Sequence, residues 1–307
     1  MQGPWGDLRV SDAHVHFFSP AFFAAMAKQS GRTVEEAGKV LGWQMPASVA
    51  ELAGAWIGEL DRHGVDRACL IASIPGDENS VAEAVVLHPR RFYGYFMVNP
   101  LAADAAVLVE RALAGGHLHG ICLFPAMQGF SVADPRVRPV IEAAAARPGT
   151  IVFVHCGVLT VGVRRKLGLP SPFDMRYSNP IDLHPVALAF PNVNFVVPHF
   201  GAGYIREALM VCDLCPNVYL DTSSSNSWIR YQAESLDLAG VFRKALAVVG
   251  TRRLLFGSDS SFFPRGWHAA ILQAQIDTLR TLDVPADDAR LIFGGNLERL
   301  LGGDHNP

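Results

Sequence analysis

The 307-residue chain is half hydrophobic, with 18% charged residues and a formal net charge of −3, enough apolar material for a large buried core. That balance lacks the basic excess that nucleic-acid backbones and anionic membranes demand, and no run of about 18 apolar residues offers a transmembrane helix. The expected partner is a small-molecule substrate, with no nucleic acid and no membrane.

The N-terminal MQGPWGDLRV shows no basic segment followed by an apolar run, so no secretory signal is expected. The first strand-like run, LRVSDAHVHF (8–17), carries two histidines one residue apart. Side chains alternate faces along a strand, so His14 and His16, and with them Asp12, should point the same way. Two imidazoles on one buried face need a metal ion or a hydrogen-bond network to satisfy their nitrogens.

Seven more such runs follow: RACLIAS (67–73), FYGYFMV (92–98), HGICLF (119–124), TIVFVHC (150–156), VNFVVPHF (193–200), NVYLDT (217–222) and RLLFGSD (253–259). Ala-rich or amphipathic stretches separate them, which implies parallel βαβ units. Eight units predict an α/β fold closed as a (β/α)8 TIM barrel. Residues 19–62 are too long for one crossover and should hold an inserted pair of helices before the first return helix. Residues 157–180 form a long polar loop at the barrel's C-terminal mouth, a length that usually serves function. With no repeat or linker visible, residues 1–307 read as one domain. An open doubly wound sheet is disfavoured, because no G-x-G-x-x-G turn follows the first strand and GAGY (201–204) is too short to be one.

In such a barrel the strand ends line the active site. His14 and His16 end the first strand, His155 the fifth, His199 the sixth and Asp259 the eighth. Pairing Phe153 with His155, Val197 with His199 and Gly257 with Asp259 suggests a shared inward direction. Nitrogen and oxygen donors gathered so can hold one divalent ion, with zinc favoured by the histidines and manganese or magnesium also compatible.

These stretches resemble the amidohydrolase superfamily, in the amidohydrolase-related branch that includes aminocarboxymuconate-semialdehyde decarboxylase. The similarity rests on DAHVHF, FVHCG, VVPHFGAGY and FGSDSSFFP, with LFPAMQGF and the closing FGGNLERLLG beside them. It implies that His14, His16, His155 and Asp259 are metal ligands, that His199 and Asp259 are catalytic, and that a homodimer forms. Binuclear relatives carry a lysine at the fourth strand end. Here Cys122 or Leu123 stands there, which implies a single ion.

The expected chemistry is hydrolysis of an amide, ester or lactone of a carboxylate-bearing small molecule. Non-oxidative decarboxylation of an aromatic or enol-type acid is the alternative, and a non-catalytic binding barrel the second. No G-x-S-x-G elbow supports a serine hydrolase. Phe18, Gln128 and Arg265 are candidate substrate contacts, Arg265 because its guanidinium matches a carboxylate. Arg164 and Arg165 read as solvated loop charges, and the 223–228 run SSSNSW as hydroxyls for substrate or a helix cap. His63, His88, His117, His119, His184, His268 and the tail's His305 read as surface or packing residues. The five cysteines, Cys69, Cys122, Cys156, Cys212 and Cys215, are scattered and odd in number, as expected of reduced thiols in a cytoplasmic protein.

Overall fold

The computed structural model describes residues 1–223 and 226–302. Its centre is a ring of eight parallel strands: β1 (Ser11–Phe17), β2 (Arg67–Ala72), β3 (Phe92–Met97), β4 (Gly120–Leu123), β5 (Ile151–Val154), β6 (Asn194–Val197), β7 (Val218–Asp221) and β8 (Leu254–Leu255). All eight lie within the runs read from the sequence. β8 meets β1 through Ala13 N–H to Phe256 O (2.8 Å), Asp259 N–H to His14 O (3.0 Å) and His16 N–H to Ser260 O (2.7 Å). These bonds close the sheet into a (β/α)8 barrel. Ahead of it, Gln2–Gly3 and Gly6–Asp7 form a small antiparallel pair that the sequence reading did not anticipate.

Every strand is buried on both faces, as a parallel sheet wrapped by helices requires. Inside the barrel pack Ala13, Cys69, Ile71, Tyr95, Cys122, Phe153, Val196, Tyr219 and Leu255. Leu297 and Leu300 of the last helix, Asn296–Leu301, join them at the N-terminal end. There Glu298 accepts from Ser11, Tyr93 and Arg67. The alternate residues of each strand face outward, where Val15, Leu70, Phe96, Val152, Val197 and Phe256 pack within the outer layer of the core.

The insertion after β1 consists of α1 (Pro20–Gln29) and α2 (Val34–Leu41), followed by the return helix α3 (Val49–His63). Each start is written locally. Ser19 accepts from Phe22 N–H with Pro20 in the first turn, Thr33 and Glu36 form a capping box, and Ser48 accepts from Glu51 N–H. The insertion has its own apolar cluster, in which Phe22, Phe23, Met26 and Leu41 pack with Val163 and Leu167 of the long loop after β5. Insertion and loop together therefore wall one side of the barrel mouth.

Two details of strand parity depart from the sequence reading. A bulge in β1 between Asp12 and Val15 sets Ala13 and His14 together where β2 has one residue. His14 and His16 consequently reach the interior, whereas Asp12 faces outward and accepts from Trp267 Nε1–H (2.7 Å) and Ser258 N–H (3.0 Å). In β6, Val196 rather than Val197 faces inward. His199 reaches the mouth instead through a turn after Pro198, where its φ is +55° and that of Phe200 is +53°.

Candidate metal centre at the barrel mouth

Three donor groups meet directly above the barrel core. Among the described residues, the ligand atoms of His14, His16 and Asp259 lie within 4.8 Å of one another. His14 Nε2 is 3.3 Å from His16 Nε2, and Asp259 Oδ1 is 3.7 Å from the first and 3.4 Å from the second. Asp259 holds its position with φ +57°, a strained backbone of the kind concentrated at functional sites.

Hydrogen bonds on the far side of each ring fix which nitrogen carries the proton. His14 Nδ1 lies 2.7 Å from Asp221 Oδ2, and a carboxylate there accepts, so Nδ1 is the protonated nitrogen. His16 Nδ1 lies 2.8 Å from Ser73 Oγ, whose own hydroxyl donates to Ile71 O (3.0 Å), so Nδ1 is again the donor. Both Nε2 lone pairs therefore face each other and the Asp259 carboxylate. Three electron-rich atoms so close repel unless a cation or proton stands between them. This donor set fits a divalent ion, and the carboxylate and serine behind the rings are the outer partners that metal-bound histidines commonly have.

The ionisation of the groups agrees. Burial alone would lower the His14 imidazolium, but the charge and hydrogen bond of Asp221, with Asp259 and Asp12, carry it above its ordinary value. Burial lowers His16, assisted by the charges of His14 and His199. Burial would raise the Asp259 carboxyl, but the close imidazoles of His16, His14 and His199 outweigh it and hold the group far below the carboxylate range. The acid is thus ionised and ready to bind a cation.

His155 and His199 complete the ring of imidazoles. His155 stacks on Phe124 with centroids 5.4 Å apart and stands 5.4 Å from His199. It lies outside the tight group of three. Its Nδ1 is buried and has no hydrogen-bond partner among the described residues, as a nitrogen awaiting a ligand would be. Burial holds it well below its ordinary pKa, with His199 and His14 adding to the effect. His199 Nδ1 faces Ser223 O (3.1 Å) and Ser223 Oγ (2.9 Å). A carbonyl can only accept, so Nδ1 is protonated and Nε2 is the open lone pair. Burial lowers this histidine too.

Asp221 is the residue the sequence reading missed, and Ser223, read there as a substrate hydroxyl or helix cap, instead supports the histidine rings. Ser223 Oγ also lies 3.0 Å from His14 Nδ1, so one hydroxyl touches both rings. Asp221 ends β7 at the same parity as the buried Tyr219, the same kind of position that singled out His155. Gly257 leaves room for the pair: a Cβ there would lie 2.5 Å from Asp221 Oδ1 and 3.0 Å from His14 Cβ. Ser224 and Ser225 of the SSSNSW run lie outside the described residues, as does His305.

A cavity of about 500 Å³ opens above the centre. Phe18 and Arg265 line it as expected, and Arg165 does too. Gln128 does not: its neighbour Met127 takes that place, since one step along the short helix Pro125–Gln128 rotates the side chain by about 100°. Arg164 turns away to Pro170 O and Gln29. Aromatic side chains dominate the wall, including Phe18, Phe22, Trp43, Phe124 and Phe262. Phe18 is parallel to Phe22 at 4.1 Å, and Trp43 to Phe262 at 4.1 Å. Among the described residues Asp259 is the only carboxylate in the lining. The five cysteines are free and buried, and burial pushes the Cys122 thiol far above its ordinary pKa, so it stays protonated beside the site.

Comparison with known proteins places the fold and the family. A 5-carboxyvanillate decarboxylase, LigW of Sphingomonas paucimobilis, superposes with TM-score 0.68 at 18% identity, covering 96% of this chain and 99% of that one. The 5-carboxyvanillate decarboxylase LigW2 of Novosphingobium aromaticivorans, solved with manganese and 3-methoxy-4-hydroxy-5-nitrobenzoic acid, gives 0.62 at 15%, covering 98% of each. An amidohydrolase of Burkholderia multivorans, solved with zinc, gives 0.62 at 17%, covering 96% and 99%. Among curated sequences, 87 residues are 34% identical to Protein fluG of Emericella nidulans, 28% of this chain and only 10% of that protein. No described helix is long and apolar enough to cross a membrane. The amidohydrolase family model matches residues 11–303, so the chain belongs to the amidohydrolase family of enzymes.

Proposed function

We propose that the protein is a divalent-metal-dependent, non-oxidative decarboxylase acting on a small aromatic carboxylic acid. The observation that carries this reading is the wall of near-parallel rings above the His14–His16–Asp259 group, a shape suited to a planar aromatic substrate. The likeness to two 5-carboxyvanillate decarboxylases supports it over the hydrolysis of amides, esters or lactones expected from the sequence.

In this reading His14, His16, His155 and Asp259 hold one ion, manganese or zinc. When bound, the ion supplies positive charge that draws the substrate's carboxylate or neighbouring oxygen to the centre. The remaining chemistry belongs to the chain. The C–C bond to the carboxylate breaks, its electron pair stays on the ring carbon, and CO2 departs. One proton must reach that carbon, so each turnover consumes one proton from solution. Asp259 is the acid in the cavity. A carboxyl held at low pKa parts readily with a proton once it has acquired one, which suits transfer to a weakly basic carbon. His199, neutral and with Nε2 open, steadies the substrate oxygen or relays the proton. Closely packed rings exclude water from the developing carbanion. A homodimer, read by light scattering, belongs to the same proposal.

The test is turnover of hydroxylated benzoates, including 5-carboxyvanillate, by metal-loaded protein in D2O. Decarboxylation incorporates one deuterium at the carbon that lost CO2 and disappears in Asp259→Asn. Hydrolysis of lactones or amides without CO2 release would overturn the reading.

A further inference from the structure

We infer that the rim of the cavity holds a second anion-binding subsite, built by Lys166 and Arg265 around the stacked rings of Trp43 and Phe262, which selects aromatic acids carrying a second anionic substituent. The inference rests on the reading above only in placing the first carboxylate at the metal centre.

Three separate segments build this subsite. Trp43 comes from the insertion after β1, Lys166 from the short helix Gly162–Lys166 after β5, and Phe262 and Arg265 from the loop after β8. Trp43 and Phe262 stack at 4.1 Å with an 11° interplanar angle. Lys166 Nζ stands 5.3 Å from the Trp43 centroid and 6.0 Å from that of Phe262, and the Arg265 guanidinium carbon stands 4.5 Å from the latter. Both cations therefore converge on one aromatic platform. Arg265 is tethered there by Asp259 O (3.2 Å) and Ser261 Oγ (2.9 Å).

Charge makes the case. Several surface arginines stand beside carboxylates, among them Arg136 with Asp134, Arg138 with Glu142, Arg176 with Asp174 and Arg206 with Glu207. At the rim, Lys166 and Arg265 have no carboxylate within 4.0 Å among the described residues, and Arg165 and Arg230 line the same cavity. Asp259, the one acid present, is committed to the centre below. A mouth with four cations and a metal ion, against one carboxylate, attracts substrates with more than a single negative charge. The rings lead from one end to the other: Phe18 is 5.7 Å from His16 and 6.0 Å from Trp43. Trp43 Nε1, buried and without an acceptor among the described residues, adds a donor in that wall.

The experiment measures affinities of metal-loaded protein for benzoate, isophthalate and terephthalate, in wild type, Lys166→Met and Arg265→Gln. Binding rather than turnover is read, so the subsite is judged even where no CO2 is released. Wild type is expected to bind the better dicarboxylate about three- to tenfold more tightly than benzoate, a range set by partly exposed ion pairs. Each variant should lose most of that preference, and in Lys166→Met the benzoate affinity should stay within about twofold. Both side chains are exposed, so folding should survive, and retained metal content checks it. Equal affinities in wild type, a preference unchanged in both variants, or no binding of any of the three acids would each overturn the inference.

Discussion

His14 Nε2 and His16 Nε2 lie 3.3 Å apart while the opposite nitrogen of each ring donates to Asp221 or Ser73. The bulge in β1 brings about this meeting, because without the extra residue His14 would follow Asp12 out of the barrel. A cation between them would relieve the repulsion of two facing lone pairs, and the outer hydrogen bonds would then matter as much as the ligands.

Asp221→Asn keeps an acceptor for His14 Nδ1 but removes the charge that makes the ring a strong donor. Metal affinity should fall about 10- to 100-fold, the usual cost of losing such a partner. Competition with a chelator measures it. Unchanged affinity would place Asp221 outside the metal's influence.

Proton release gives an independent reading. His14 is raised above 6.5, while His16 and His155 are lowered and Asp259 is already ionised. Of the four, His14 is the group whose surroundings favour an added proton in the metal-free protein. An ion displaces that proton, so affinity should rise with pH and level off once His14 is neutral. Titration calorimetry in buffers of different ionisation enthalpy should show about one proton released per ion, and fewer in Asp221→Asn.

Gly257→Ala puts a methyl group 2.5 Å from Asp221 Oδ1. Overpacking of this kind costs about 1–3 kcal/mol. Here it should also displace Asp221 and reduce metal content, read by thermal unfolding with and without metal. A variant with full metal content and unchanged Tm would contradict the close approach.

Away from the site, His119 is held down to about 4 by burial, with the charges of Arg147 and His117 adding to it. Gly94 N–H donates to its Nδ1 (3.3 Å), a bond that only the neutral ring accepts. The unfolded chain takes up this proton near pH 6.5 and the folded one near 4, so stability falls as pH drops through that window and is flat below it. The loss should be about 2 kcal/mol, allowing for partial exposure. Denaturant unfolding across that range should show a shallower acid slope in His119→Gln.

Much of this was legible in the sequence. The eight strands declared themselves as apolar runs, and the histidines at β1 and β5 and the aspartate after β8 marked one pole, because a parallel barrel puts its strand ends together. What escaped was set by backbone irregularity and by distant packing. Alternation placed Asp12 beside His14, and a bulge undid it. It placed Val197 inward, and a left-handed turn at His199 replaced it. Asp221 stood at a strand end like the others, yet its pairing with His14 spans the closure of the barrel. Trp43 and Lys166 carry no pattern of their own, since only the folding of the insertion against the long loop brings them to Phe262. Gln128 was expected at the cavity from its loop, and a single turn of helix put Met127 there instead.

The most direct test of the metal centre is elemental analysis of the purified protein and of a His14→Ala/His16→Ala double variant that retains its fold by circular dichroism. One equivalent of manganese or zinc per chain in the wild type, lost in the variant, is the predicted result. No bound metal after reconstitution, or an equivalent that survives the double substitution, would contradict it.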